Sequence, residues 1–140
     1  MKLMYGEKLG LPVSDTLKQL INDEVNKHQI SDGATAFTLT YHDNSYSIEK
    51  GGFHPVEIRL ERKGDYWYLS YLTDFSYASS YPELEKDIDF DVTHGVAFIR
   101  VIGELVLSHP DVQELFKIYQ ANFINYVEMN VFDEIKLSTD

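Results

Sequence analysis

A small number of side chains in this 140-residue chain could do chemistry. The first is His54, in the stretch "KGGFHPVEIRLERKG" (residues 50–64). On a period of two it falls in line with Val56 and Ile58, at the edge of an apolar strand face, while Glu57 falls on the opposite side. His54 and Glu57 therefore cannot form one acid–base pair unless the strand bulges near Pro55. The ordinary reading is an imidazole partly buried and bonded to backbone, with Gly51 and Gly52 marking a bend.

The second is Asp74, near the end of "YWYLSYLTDF" (66–75) and in phase with Tyr66, Tyr68 and Leu72. A carboxylate aimed at an apolar face has a raised pKa and can act as a base. The alternative preferred from the sequence is a turn cap at the exit of the strand. With Tyr71, His54 and Asp74 would supply the polar lining of a cavity in a curved sheet.

The third is the ladder Asp87, Asp89, Asp91, with His94 behind it. Carboxylate and imidazole are ligands for divalent cations, and D-x-D-x-D opens a calcium loop. That loop needs glycine at its sixth place and glutamate at its twelfth, where this chain has Val92 and Phe98. The spacing instead fits a strand with Ile88, Phe90 and Val92 inward and an acidic face outward. Three like charges on one face are mildly unfavourable, which points to a cation or a basic partner. No metal and no cofactor is expected. A nucleophile elbow, a Walker loop and a dinucleotide-binding glycine motif are all lacking, and without cysteine there is no thiol chemistry.

The elements that must hold these residues can be read from periodicity. Residues 14–29 place Leu17, Leu20, Ile21, Val25 and His28 on one helical face, with Ser14 or Asp15 as cap. Strands follow at "ATAFTLTYH", at 54–62, at 66–75 and at 87–92, with "KGD" (63–65) as a hairpin turn. Another strand starts near Tyr46 and breaks at the paired glycines. The segment 76–87 reads as loop with a helical turn at 82–86, and 94–107 fits a strand or a buried helix equally well. A second helix spans 111–129, capped by Ser108 with Pro110 and Asp111 suited to its first turn, and Val112, Leu115, Phe116, Tyr119, Phe123, Tyr126 and Val127 form its stripe. Residues 131–137 return as an edge strand. Helix, antiparallel strands, helix and a last strand make an α+β domain over residues 1–140, with a curved antiparallel sheet packed against two main helices.

Composition bounds the rest. Net charge is −11, with 8 basic and 10 acidic residues in 1–70 but 4 and 13 in 71–140. That field repels nucleic acid and anionic membrane. Neither a signal peptide nor a membrane span is read, so a cytoplasmic protein is expected. The ten tyrosines suit a half-buried sheet or a pocket with a polar lining.

The strings "GGFHPVEIRLE", "YLTDFSY", "PELEKDIDFD" and "ELFKIYQANFINYVEMNVFDEI" together resemble a bacterial family, mostly gamma-proteobacterial, catalogued as a domain of unknown function (number 2787). The resemblance covers roughly residues 45–135. It implies a cystatin-like or nuclear-transport-factor-like roll and brings no catalytic residue, cofactor or substrate with it. The function expected is a non-enzymatic binding or protein-interaction module, self-associating or holding a protein partner at the acidic face of Asp87, Asp89 and Asp91. The alternative is a ligand binder or enzyme, small-molecule class unknown, using His54, Tyr71 and Asp74. A third is an acidic mimic of nucleic acid.

Overall fold

The computed structural model describes residues 2–78 and 82–140. Its elements run α1 (Asp15–Val25), β1 (Ala36–His42), β2 (Val56–Lys63), β3 (Tyr66–Ser76), β4 (Glu85–Asp91), β5 (Val96–Ile99), β6 (Gly103–Val106), α2 (Pro110–Glu128) and β7 (Glu134–Thr139). The strands form one antiparallel sheet in the order β6-β5-β4-β3-β2-β1-β7. β1 to β6 are a meander, and β7 closes the other side after α2. The fold is α+β, a curved antiparallel sheet with two helices on one face.

Register decides which side chains meet those helices. Leu39, Ile58, Leu72, Phe90 and Ala97 lie in one row across five strands, all essentially inaccessible to solvent. The next row is Tyr41, Val56, Asp74 and Ile88, so a carboxylate stands on the core face near the end of the sheet. From α2, Phe116 meets the edge of Phe90 with ring centroids 5.1 Å apart, and Phe123 meets Tyr41 at 4.9 Å. Such edge-to-face pairs add to the burial of large aromatic areas. Leu17, Ile21 and Val25 of α1 join the same core.

Several boundaries differ from the sequence reading. α1 stops at Val25 because Lys27 and His28 donate to Glu24 and Val25, three residues back, which tightens the chain out of the helix. His109, not Ser108, caps α2, its Nδ1 accepting from the Asp111 amide at 3.0 Å. The helix ends where Asn130 takes φ +58°. Residues 94–107 form the β5–β6 hairpin. Part of the predicted 76–87 loop, residues 79–81, lies outside the described residues. The helical turn expected at 82–86 is replaced in part by β4, which begins at Glu85.

Two bulges alter the phase of the strands. Arg59 faces Tyr71 and Leu60 faces Leu69, which leaves Ser70 as an extra residue in β3. The Ser70 carbonyl turns out of the β2–β3 ladder and accepts from the amides of Val92 and Thr93. Trp67 and Leu69 therefore share the core face with Leu72 and Asp74, while Tyr71 is sent to the opposite face. Asp74 pairs with Ile88 and Phe75 with Lys86, which leaves Asp87 as the extra residue in β4.

Candidate functional site

His54 is carried by the loop between β1 and β2, and that loop is pinned by Asp43. Asp43 Oδ2 accepts the Phe53 amide at 3.0 Å, and Oδ1 accepts the Ser45 amide at 3.0 Å. These bonds, the Phe53 amide first, hold the Asp43 carboxyl below its ordinary pKa. Gly52 has φ +132°, and a Cβ there would lie 2.9 Å from Asp43 Oδ2 and 3.0 Å from the Tyr46 Cα. Only glycine fits that turn without displacement.

The loop delivers the imidazole to the end of β3. His54 Nδ1 lies 2.8 Å from Asp74 Oδ1, and the Tyr119 hydroxyl of α2 donates to Asp74 Oδ2 at 2.7 Å. The Asp74 carboxylate is only 10% exposed and the His54 side chain 37%. A carboxylate buried this far needs such charge-assisted bonds. Asp74 fixes the imidazole and raises its pKa, through the hydrogen bond first and against the opposing effect of burial; the Asp74 and Asp87 charges add to the rise. Desolvation, then the Asp74 charge, raises the Tyr119 hydroxyl well above its ordinary value, so it is a donor.

Asp87 reaches the same point from β4. Its Oδ2 is 3.9 Å from His54 Nδ1, and its Oδ1 is 3.4 Å from Arg100 Nε. The other face of the His54 ring packs near Tyr46, with centroids 5.3 Å apart.

Beside this cluster α2 and the loop leave a cleft of about 320 Å³. Its walls are the aromatic side chains of Phe53, Phe123, Tyr126 and Phe132, with His54, Asp74, Tyr119 and Asn122 as polar members. Among the described residues, the Asn122 carboxamide and His54 Nε2 have no hydrogen-bond partner. An apolar cleft with a few placed polar groups is the usual form of a small-molecule site.

The residues singled out from sequence separate as follows. His54 and Asp74 meet in the cleft, and Asp74 is a strand residue turned to the core face, not the turn cap. Tyr71 does not join them: it lies across the sheet and donates to Glu57 Oε2 at 2.5 Å. Asp87 leaves the acidic ladder for the His54 side. Asp89 is 7% exposed, accepting from Thr73 Oγ1 at 2.7 Å and pairing with Lys86 at 3.3 Å. Asp91 accepts the His94 amide at 3.1 Å and bonds the His94 ring at 2.8 Å. The three carboxylates do not form one face. Tyr119, Asn122, Phe53 and Tyr126 escape the sequence reading as site residues. The available signal is the pair Tyr119 and Tyr126 within an otherwise apolar helical stripe, since a buried hydroxyl usually takes a partner.

A family model described as "Protein of unknown function (DUF2787)" matches residues 15–138. The chain belongs to the DUF2787 family. Among solved structures, a hypothetical protein, VC0508, from the VSP-II pathogenicity island of Vibrio cholerae is similar to it at 34% identity and a TM-score of 0.91, covering 99% of this chain and all of that one. A second, VC1805 from the VPI-2 island of the same organism, is 36% identical with a TM-score of 0.83, covering 93% of this chain and 97% of that one. VC1805 is described as sharing structural homology with the human P32 protein. No curated protein matches this DUF2787 chain. Among the described residues, no helix is long and apolar enough to cross a membrane.

Proposed function

We propose that this DUF2787 protein is a small-molecule-binding module, whose ligand lies in the cleft between α2 and the β1–β2 loop. The observation that carries this reading is that two polar groups without a hydrogen-bond partner among the described residues, His54 Nε2 and the Asn122 carboxamide, belong to one cleft walled by aromatic rings. Asp74 and Tyr119 hold the imidazole still, so its orientation is settled before a ligand arrives. Preorganisation of that kind lowers the cost of binding. The ligand class is a molecule of modest size, with a flat apolar body against Phe53 and Tyr126 and a polar head that bonds His54 Nε2 and Asn122. A cleft of about 320 Å³ is at the small end of ligand sites.

The test is a ligand-observed NMR screen of small aromatic and aliphatic acids, amides and alcohols. Asn122 is an exposed helix residue, so Asn122→Trp fills the cleft without touching the core. Hits that vanish with Asn122→Trp and weaken with His54→Ala support the reading. Hits indifferent to both substitutions, or none at all, overturn it.

A protein-interaction role is the second reading, and one feature favours it. Val101 and Ile102, at the turn of the β5–β6 hairpin, are 89% and 65% exposed. Adjacent bare aliphatics at a hairpin tip are an unusual surface for an acidic chain. Val101→Ser/Ile102→Ser lowers self-association in sedimentation if that tip is used, and leaves it unchanged if it is not.

A further inference from the structure

We propose that His54, Asp74 and Asp87 form a site for one divalent transition cation of the zinc class. This goes beyond the cleft ligand, because Asp87 does not line the cleft and the ligand atoms lie on the Nδ1 side of the imidazole, away from Nε2.

The geometry comes first. One ligand atom from each residue, the imidazole nitrogen and two carboxylate oxygens, lies within 4.8 Å of the other two. Nδ1 is 2.8 Å from Asp74 Oδ1 and 3.9 Å from Asp87 Oδ2. Donors about 2.0–2.2 Å from a tetrahedral zinc stand about 3.3 Å from one another. These two distances straddle that figure, and the third, between the two carboxylates, lies within 4.8 Å.

The outer contacts provide a second, independent argument. Each carboxylate has a neighbour at its far oxygen: Tyr119 donates to Asp74 Oδ2, and Arg100 Nε stands 3.4 Å from Asp87 Oδ1 as an ion pair without a hydrogen bond. The near oxygens, Asp74 Oδ1 and Asp87 Oδ2, are left pointing at His54. Tying the distal atom of a ligand is how proteins orient metal-binding side chains.

Charge agrees with the geometry. Two carboxylates and a neutral imidazole carry −2, and Arg100, which also stands 3.7 Å from Glu85, offsets part of it. The remaining negative charge sits in a half-buried place where a cation is favoured. On binding, the neutral ring carries its proton on Nε2, an imidazolium having released its Nδ1 proton to solvent, and Nδ1 takes the metal in place of its bond to Asp74. One imidazole with two carboxylates suits a borderline ion such as Zn²⁺ or Co²⁺ over Ca²⁺ or Mg²⁺, which prefer oxygen alone. Three protein ligands leave a fourth coordination position for water or another small donor.

The experiment is calorimetry of the chelator-stripped protein with Zn²⁺ and, in separate titrations, Co²⁺, Ca²⁺ and Mg²⁺. One Zn²⁺ or Co²⁺ per chain is expected, with affinity at least tenfold weaker in Asp87→Asn and unchanged in His94→Ala, the control at the exposed Asp91–His94 pair. Co²⁺ bound to the wild-type protein should shift and broaden the His54 ring resonances in NMR, which locates the ion without any variant. Binding that survives Asp87→Asn at full strength, that disappears with His94→Ala, or that leaves the His54 ring unperturbed overturns the site. Absence of Zn²⁺ and Co²⁺ binding overturns it too, and binding of Ca²⁺ or Mg²⁺ alone overturns the assigned ion class. The two proposals fail separately: Asn122→Trp blocks the cleft and spares the metal, whereas Asp87→Asn does the reverse.

Discussion

Removing the Tyr119 hydroxyl tests the central physical claim about this site, that Asp74 is a buried carboxylate held by α2. Tyr119→Phe keeps the ring, including its edge contact with Phe90 at 6.0 Å, and deletes only the 2.7 Å bond to Asp74 Oδ2. With the Asp74 carboxylate 10% exposed, water cannot fully replace that donor. A hydrogen bond to a charged group contributes about 1.5–3 kcal/mol. For 140 residues the unfolding entropy is about 0.3 kcal/mol/K, so the melting temperature should fall by about 5–10 °C. The assay is urea denaturation of wild type, Tyr119→Phe, Asp74→Asn and the double variant, each in chelator. A neutral carboxamide at position 74 accepts a bond of roughly half the strength. The hydroxyl deletion should therefore cost about half as much in the Asp74→Asn background, a coupling of about 1 kcal/mol. Equal costs in the two backgrounds would show that Tyr119 stabilises through something other than Asp74. A cost below about 0.5 kcal/mol in the wild-type background would show that the carboxylate is effectively solvated.

Three further outcomes are expected. Thr73→Val strands the inner oxygen of buried Asp89 and should cost about 1–3 kcal/mol in urea denaturation; a neutral result would mean that Lys86 alone satisfies that carboxylate. Gly52→Ala places a Cβ against Asp43 and Tyr46 at a positive φ, costing about 1–3 kcal/mol and moving the His54 ring resonances. A Gly52→Ala protein with wild-type stability and an unmoved His54 would remove the case for a rigid loop. The third concerns pH. Because the folded pKa of Asp43 is depressed, its contribution is complete above the unfolded carboxyl value near pH 3.9 and is lost as pH falls through the lower folded value. The Phe53 amide should keep its folded chemical shift at pH 4 and lose it only below that, whereas in Asp43→Asn the shift should not titrate with acid; a wild-type midpoint at or above the ordinary carboxyl value would contradict the bonding described.

Much of the scaffold is legible in the sequence because its signals are local. β1 and β2 alternate cleanly, and α2 runs Pro110–Glu128 where the apolar stripe and Pro110 place it. The segment 94–107 is not decidable by periodicity, because both of its faces carry apolar residues and Val101 and Ile102 lie bare at its turn. The cue there is glycine: Gly95 and Gly103, with φ +70° and +102°, stand just before each hairpin strand or at its start. Such backbone needs are visible in a sequence only as an unexplained glycine.

The site is half legible, for a reason that follows from the sheet. His54 in phase with Val56, and Asp74 in phase with Leu72, are both alternation readings, and register turns them into one contact by setting Val56 opposite Asp74. Asp87 defeats the same rule, whereas Tyr71 obeys it relative to Asp74, since alternation already sets it on the opposite face, and breaks phase only with Trp67 and Leu69. A bulge at Ser70 offsets the early part of β3 from the later part, and a bulge at Asp87 takes that carboxylate out of step with Asp89 and Asp91. Bulges are tertiary events, fixed by which strand pairs with which, so no count of period-two matches can reveal them. What the sequence does hold is a complementarity between distant elements. Asp74 is an acceptor on an apolar sheet face, and Tyr119 is a donor within an apolar helix stripe. Burying either alone is costly, though the core does carry one such cost at the Tyr41 hydroxyl, and in an α+β fold with one shared core Asp74 and Tyr119 satisfy each other. Pairing such misfits across elements narrows the partners of Asp74 to the stripe tyrosines Tyr119 and Tyr126, and the packing of α2 on the sheet selects Tyr119.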